Sequence, residues 1–157
     1  MKTDINTAMM EVAIARYFGT RKHIIVPNVS WGFFIHECDL LLIRKTGYAI
    51  EVEIKRTIAD LRRDFKKKHQ HNDNRIRELF YALPDYLLEK GMSLIPPHAG
   101  IISVYSGHGG IRAGIIRMAP TNDKARKLTE KEMLMIARLG VLRVWNLKEK
   151  LLKLNKE

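Results

Sequence analysis

Apolar and polar positions along the chain change period several times, and each change marks an element. Across residues 3–19, Ile5, Met9, Val12, Ala13 and Tyr17 recur at helical spacing, with Thr3 or Asp4 available as a cap and Gly19 as a stop. "HIIVPNV" at 23–29 reads as a short strand closed by Pro27. "CDLLLI" at 38–43 is a continuous apolar run typical of a buried strand, and "YAIEVEIK" at 48–55 alternates; Gly47 lies in the turn between them, so the pair predicts a hairpin. Helical spacing returns at 57–69, where Leu61 and Phe65 share a face and Asp60 and Asp64 share the next. "RELFYALP" at 77–84 is an apolar strand stopped by Pro84, followed by a short helix or turn at 85–91 and a rigid loop, "IPPHAG", at 95–100. Strands at 101–106 and 111–120 flank "GHGG", which reads better as a hairpin turn than as a phosphate loop. Thr129 and Glu132 form a capping box. The long helix behind it carries Met133, Ile136, Gly140, Val144, Leu147, Leu151 and Leu154 as a stripe for the body or for a second copy.

This succession predicts an α/β protein with a central mixed sheet flanked by helices and a long C-terminal helix. The 157 residues suit a single core. The expected division is a body at 1–120 and a basic C-terminal helix at 121–157, packed on the body or at a homodimer interface. No apolar run approaches the ~20 residues that span a bilayer, and the N-terminus lacks the apolar core of a signal peptide. The expected address is the cytoplasm, with no membrane partner. One cysteine, Cys38, excludes an internal disulfide framework and a multi-cysteine zinc site, and it reads as a core thiol.

Charge changes the picture through its distribution. The net value is +11. Residues 1–54 balance at zero, 55–77 carry +6, 78–123 carry −1 and 124–157 carry +6. Two basic blocks flanking a near-neutral body point to a polyanionic partner, with nucleic acid favoured over membrane. The alternative is solvated lysine faces.

The return strand of the first hairpin holds the candidate chemistry. Strand alternation sends Val52 and Ile54 to one face and Glu51, Glu53 and Lys55 to the other. Carboxylates on an inner strand are costly without partners. Asp39 lies on the neighbouring strand and joins them if it faces the same way. Crowded carboxylates suit a hard cation such as Mg²⁺ or Mn²⁺, and a lysine beside them can orient a water for phosphodiester hydrolysis. The competing reading is a solvated Glu–Lys ladder on a surface strand.

The pattern "D39…E53-I-K55" on adjacent strands after an N-terminal helix resembles the PD-(D/E)XK nuclease superfamily. The stretch "ECDLLLIRKTGYAIEVEIKRTIADLRRDFKKKHQ" is similar to its small phage and bacterial members and, more loosely, to the MmcB-like DNA repair family. The resemblance covers roughly residues 5–105. It implies a restriction-endonuclease-like core and a metal-dependent DNA endonuclease acting in repair, recombination or phage DNA processing. It also implies that Asp39, Glu53 and the backbone carbonyl of Ile54 ligate Mg²⁺ or Mn²⁺ and that Lys55 positions the water. Glu11 is the extra helix acid of some branches or a solvent-facing side chain. Glu51 is a second ligand or a substitute for Glu53. Cys38 stands where many members have proline. Inactive relatives keep the fold, so a DNA-binding repair module is the alternative; the intact Asp39, Glu53 and Lys55 favour the enzyme, because binding alone gains nothing from carboxylates beside phosphates.

Arg56, Arg62, Arg63, Lys66, Lys67, Lys68 and Arg75 are the candidate DNA contacts, supplying affinity through phosphates. Asp60 and Asp64 are outer metal ligands or, in the favoured reading, anchor their helix by pairing with Arg63, Lys67 and Lys68. His69 and His71 lack the further ligands that structural zinc requires, and His36 reads as a strand-end residue. Trp31, Phe33 and Phe34 can stack on unpaired bases or cover one end of the core, which is favoured.

Overall fold

A computed structural model of the chain describes residues 4–29, 36–66 and 73–154. Six strands form one mixed sheet in sequence order: β1 (Ile24–Val29), β2 (Cys38–Ile43), β3 (Ala49–Ile54), β4 (Ile76–Pro84), β5 (Gly100–Gly107) and β6 (Gly110–Arg117). The first three are antiparallel neighbours; β3, β4 and β5 run parallel, and β6 returns antiparallel. The helices are α1 (Thr7–Phe18), α2 (Ile58–Asp64) between β3 and β4, α3 (Leu88–Gly91) and α4 (Glu130–Leu154). This is the expected α/β architecture with a long C-terminal helix.

The sheet separates two packed layers. On one face α1 sets Met10, Ala13 and Ile14 against Leu40, Leu42, Ile50, Val52, Phe80 and Ile102. The buried stripe differs from the one that helical spacing predicts: Met9, Val12 and Tyr17 are exposed. Asn6, not Asp4, caps α1 by accepting the Met9 N–H at 2.9 Å, and Gly19 ends it at φ 94°. On the other face α4 buries Ile136 and Leu139 against Val26, Leu41 and Ile43. Gly140 permits that approach, since a Cβ there would lie 3.2 Å from a Val26 methyl. Farther along the same face α2 buries Leu61 against Tyr81, Leu83 and Ile101.

Several boundaries move. Pro27 does not close β1, which runs on to Val29; proline is tolerated because β1 is an edge strand. The helix expected over 57–69 ends at Asp64, and residues 67–72 lie outside the described set. The segment before α4 is laced to the body through Asn122 N–H to Arg77 O and Leu128 N–H to Gly47 O. The capping box forms as expected: Thr129 Oγ accepts from Glu132 N–H, and the Glu132 carboxylate accepts from Thr129 N–H. Only the first half of the α4 stripe packs on the body; Val144, Leu147, Leu151 and Leu154 are exposed. No helix among the described residues is long and apolar enough to cross a membrane.

Candidate active site

Between the apolar cluster under α4 and the one under α2 runs a band of buried charge, carried on β3. The β2–β3 register pairs Leu40 with Val52 and Leu41 with Glu51, which sets Asp39 beside Glu53 one step further. On β4, Tyr81 is the partner of Glu53. Residues opposite one another share a face, so Asp39, Glu53 and Tyr81 form one cross-strand row. Glu51 and Glu53 are 0% and 1% exposed, which excludes the solvated-ladder reading.

Lys55 organises this band. Its ammonium lies 2.5 Å from Glu53 Oε2, 2.9 Å from Asp64 Oδ1 and 3.9 Å from Asp39 Oδ2. The Lys55 N–H donates to Ala82 O on β4, continuing the sheet past the end of β3. Asp39 Oδ2 also accepts the Ile54 N–H at 2.7 Å, which holds the carboxylate across the strand end. Asp64 comes from the last turn of α2 and receives the Tyr81 hydroxyl at 2.8 Å. Glu51 is occupied separately by His36 Nε2 at 2.7 Å.

Burial is the main force on the proton affinities. It pushes the Glu53 carboxyl up to about 7 against the pull of Lys55, and Asp39 and Glu51 add to the rise. Burial works to lower the Lys55 value, but Glu53 and Asp64 outweigh it and hold the ammonium charged. The Tyr81 hydroxyl is raised by burial and by the Asp64 charge, so it remains a donor. Burial, then the Glu51 and Glu53 charges, raises the Cys38 thiol, as suits a core thiol and not a nucleophile.

These groups open on a cleft of about 610 Å³ lined by Asp39, Ile54, Lys55, Arg56, Arg63 and Asp64. Glu53 stands behind Lys55 and does not line it. Glu11 on α1 meets Asn28 Nδ2 at 3.4 Å. Its carboxyl is raised chiefly by burial, and Asp39 contributes to the rise, so the two acids feel one another.

The predicted DNA contacts divide. Arg62, Arg63 and Lys66 lie on or just after α2, with Arg63 3.4 Å from Asp60. Arg56 donates to Ile5 O and Asp4, fastening the start of the chain to the cleft rim. Arg75 is committed inward, paired with Asp73 at 2.6 Å and 12% exposed, because a partner two residues away meets its guanidinium in a bidentate geometry. Lys67, Lys68, His69 and His71, with Trp31, Phe33 and Phe34, lie outside the described residues.

Three roles escape sequence reasoning. Asp64 faces Lys55 and accepts the Tyr81 hydroxyl; its place three residues after buried Leu61 is a usable signal. Tyr81 and the His36–Glu51 pair depend on strand register and on chain reversals, for which there is no local signal.

The donors here are oxygen atoms converging on a cation, and the cation they surround is the Lys55 ammonium. Among the described residues no three His, Cys, Asp or Glu are already grouped as a metal cage. Lys55 stands between Asp39, Glu53 and Asp64, and His36 takes Glu51. The donor chemistry fits a hard divalent ion at Asp39 and Glu53.

No family model matches the chain, and no curated protein matches it. A solved structure, the SPO1766 protein of unknown function from Silicibacter pomeroyi, is similar to it with a TM-score of 0.64 at 18% identity, covering 96% of this chain and 94% of that one. At that identity the likeness concerns the fold.

Proposed function

We propose that this protein is a Mg²⁺- or Mn²⁺-dependent DNA endonuclease of the PD-(D/E)XK type. The observation that carries the reading is the convergence of Asp39, Glu53 and Lys55 from the facing ends of two paired strands, with Asp39 and Lys55 lining an open cleft beside Arg56 and Arg63 and Glu53 buried behind them. Asp39, Glu53 and the Ile54 carbonyl would hold the ion, with Glu11 as an outer acid. When bound, it supplies Lewis acidity to the phosphodiester and makes a water more acidic. Lys55 orients that water and offsets charge on the phosphate. Arg62, Arg63 and Lys66 hold the backbone from the α2 side. Water adds to phosphorus and releases a proton to solvent, the bond to the leaving oxygen breaks, and that oxygen takes up a proton from solvent.

A second reading, a DNA-binding repair module without cleavage, draws on the seclusion of Glu53 behind Lys55. One experiment separates them. Single-stranded, duplex, flapped and branched DNA are incubated with the protein and Mg²⁺ or Mn²⁺, with EDTA as control. The enzyme reading expects metal-dependent cuts, abolished in Lys55→Ala and in Glu53→Ala. Cleavage that persists unchanged in both variants, or no cleavage of any substrate with either metal, overturns it.

A further inference from the structure

Lys55 has two strong acceptors where one would satisfy a positioning role. The first, Glu53, is the carboxylate that the proposed function assigns to a divalent ion. The second, Asp64, is 2% exposed and comes from a different element. A buried carboxylate at the end of a seven-residue helix is costly unless its partners are fixed. Asp64 has such partners: the Lys55 ammonium lies 2.9 Å from Oδ1 as an ion pair, and Oδ2 accepts the Tyr81 hydroxyl at 2.8 Å. Tyr81 is itself fixed, lying in the same cross-strand row as Glu53 at 1% exposure. Tyr81 therefore holds Asp64 Oδ2 whether or not Glu53 is engaged.

Lys55 lies 2.5 Å from Glu53, 2.9 Å from Asp64 and 3.9 Å from Asp39, and the proposed function places a divalent ion at Glu53. An ammonium 2.5 Å from Glu53 competes with any such ion for the same oxygens. It can yield them cheaply only if another carboxylate keeps it charged and in place.

Resting on the metal-dependent reading above, we propose that Asp64, anchored by Tyr81, is the positioning residue that retains the Lys55 ammonium when Glu53 is given over to a divalent ion. Asp64 is thus a retaining carboxylate and not a metal ligand. Tyr81 acts only through it. The Tyr81–Asp64 pair weakens the competition between Lys55 and the ion at Glu53, and it keeps Lys55 beside the cleft.

The test measures Mn²⁺ affinity of the full chain by calorimetry without DNA. Tyr81→Phe is the central variant, because it removes one hydroxyl and changes no charge. It is expected to weaken Mn²⁺ binding several-fold, and Asp64→Asn roughly tenfold, the low end of what loss of an outer-sphere partner costs a metal site. Both effects should largely vanish in a Lys55→Met background, where no ammonium competes, and Lys55→Met alone should bind Mn²⁺ at least as tightly as the parent. A Tyr81→Phe or Asp64→Asn penalty of the same size with and without Lys55 would mean that Asp64 ligates the ion or merely supports the fold, and overturns the proposal. Unchanged affinity in Tyr81→Phe and Asp64→Asn also overturns it, while leaving the nuclease reading standing. No Mn²⁺ binding by any of the proteins removes both. If Lys55→Met does not fold, Lys55→Gln supplies the same background, since its amide has neither the charge nor the reach of the ammonium.

Discussion

Glu53 should make this fold more stable in mild acid than in mild base, and the effect can be isolated by one isosteric change. Its carboxyl is raised from the ordinary 4.5 to about 7, mainly by burial. Between those values the folded state holds a proton on Glu53 that the unfolded chain has released. The contribution is therefore complete below about 4.5 and is lost as the pH rises through about 7. At about 1.4 kcal/mol per pH unit, the displacement amounts to roughly 3 kcal/mol. For a chain of this size that corresponds to roughly 6–12 °C in Tm. The assay is urea unfolding of the parent and of Glu53→Gln from pH 4.5 to 8, with EDTA present throughout. Groups shared by the two proteins cancel in the difference. The parent should lose about 3 kcal/mol relative to Glu53→Gln across the series. Parallel curves would refute the reasoning, since they would mean that the Lys55 ammonium keeps Glu53 ionised in both states despite its burial.

Other outcomes follow from the same structure. Changing Lys66, Lys67 and Lys68 together to Ala should weaken duplex binding at every sequence and reduce the log–log salt slope by roughly 0.9 for each phosphate that is no longer neutralised; an unchanged slope, measured by anisotropy titration, moves the DNA-binding surface to the basic α4. Ile136→Ala should cost about 2–5 kcal/mol in urea unfolding, because the side chain is 1% exposed between α4 and β1, whereas Leu151→Ala, on the exposed half of the same helix, should stay within about 0.5 kcal/mol.

What is legible in the sequence follows the range over which each signal acts. The β2–β3 hairpin is readable because "CDLLLI" and "AIEVEI" lie one turn apart, so period and turn chemistry act together. That hairpin also decides the pairing of Asp39 with Glu53, leaving only the side to which Asp39 points. The α1 stripe is ambiguous because its apolar residues occupy more than one face: Met9 and Met10 are adjacent, and only packing against Leu42 and Ile50 selects Met10. The α4 stripe reads as uniform, yet Gly140 lies against Val26, and the stripe positions beyond it, Val144, Leu147, Leu151 and Leu154, are exposed. Arg75 looks free for phosphate because nothing in a tally of charges reveals a bidentate partner at Asp73. Tyr81 and Asp64 stay hidden because their meeting depends on a parallel strand pairing and on a helix crossing between β3 and β4.

The buried charge also bears on why such a site would exist in this fold. Glu51, Glu53, Lys55 and Asp64 occupy the same sheet face as two apolar clusters and lie between them. For stability alone, apolar side chains of similar volume would serve there at least as well, since replacing buried ion pairs by packed hydrophobic residues is often neutral or favourable by about 1–4 kcal/mol. The face instead carries four ionisable groups whose hydrogen bonds and ion pairs draw on β3, β4 and α2. Its exposed end opens on a cleft, while the end at Glu51 is closed by His36. An arrangement kept only for folding has no need of that asymmetry. On the proposed nuclease reading, holding carboxylates near a cation until a phosphate arrives would use both halves: a sealed inner end that resists solvent and an outer end where Asp39 and Lys55 would meet the substrate.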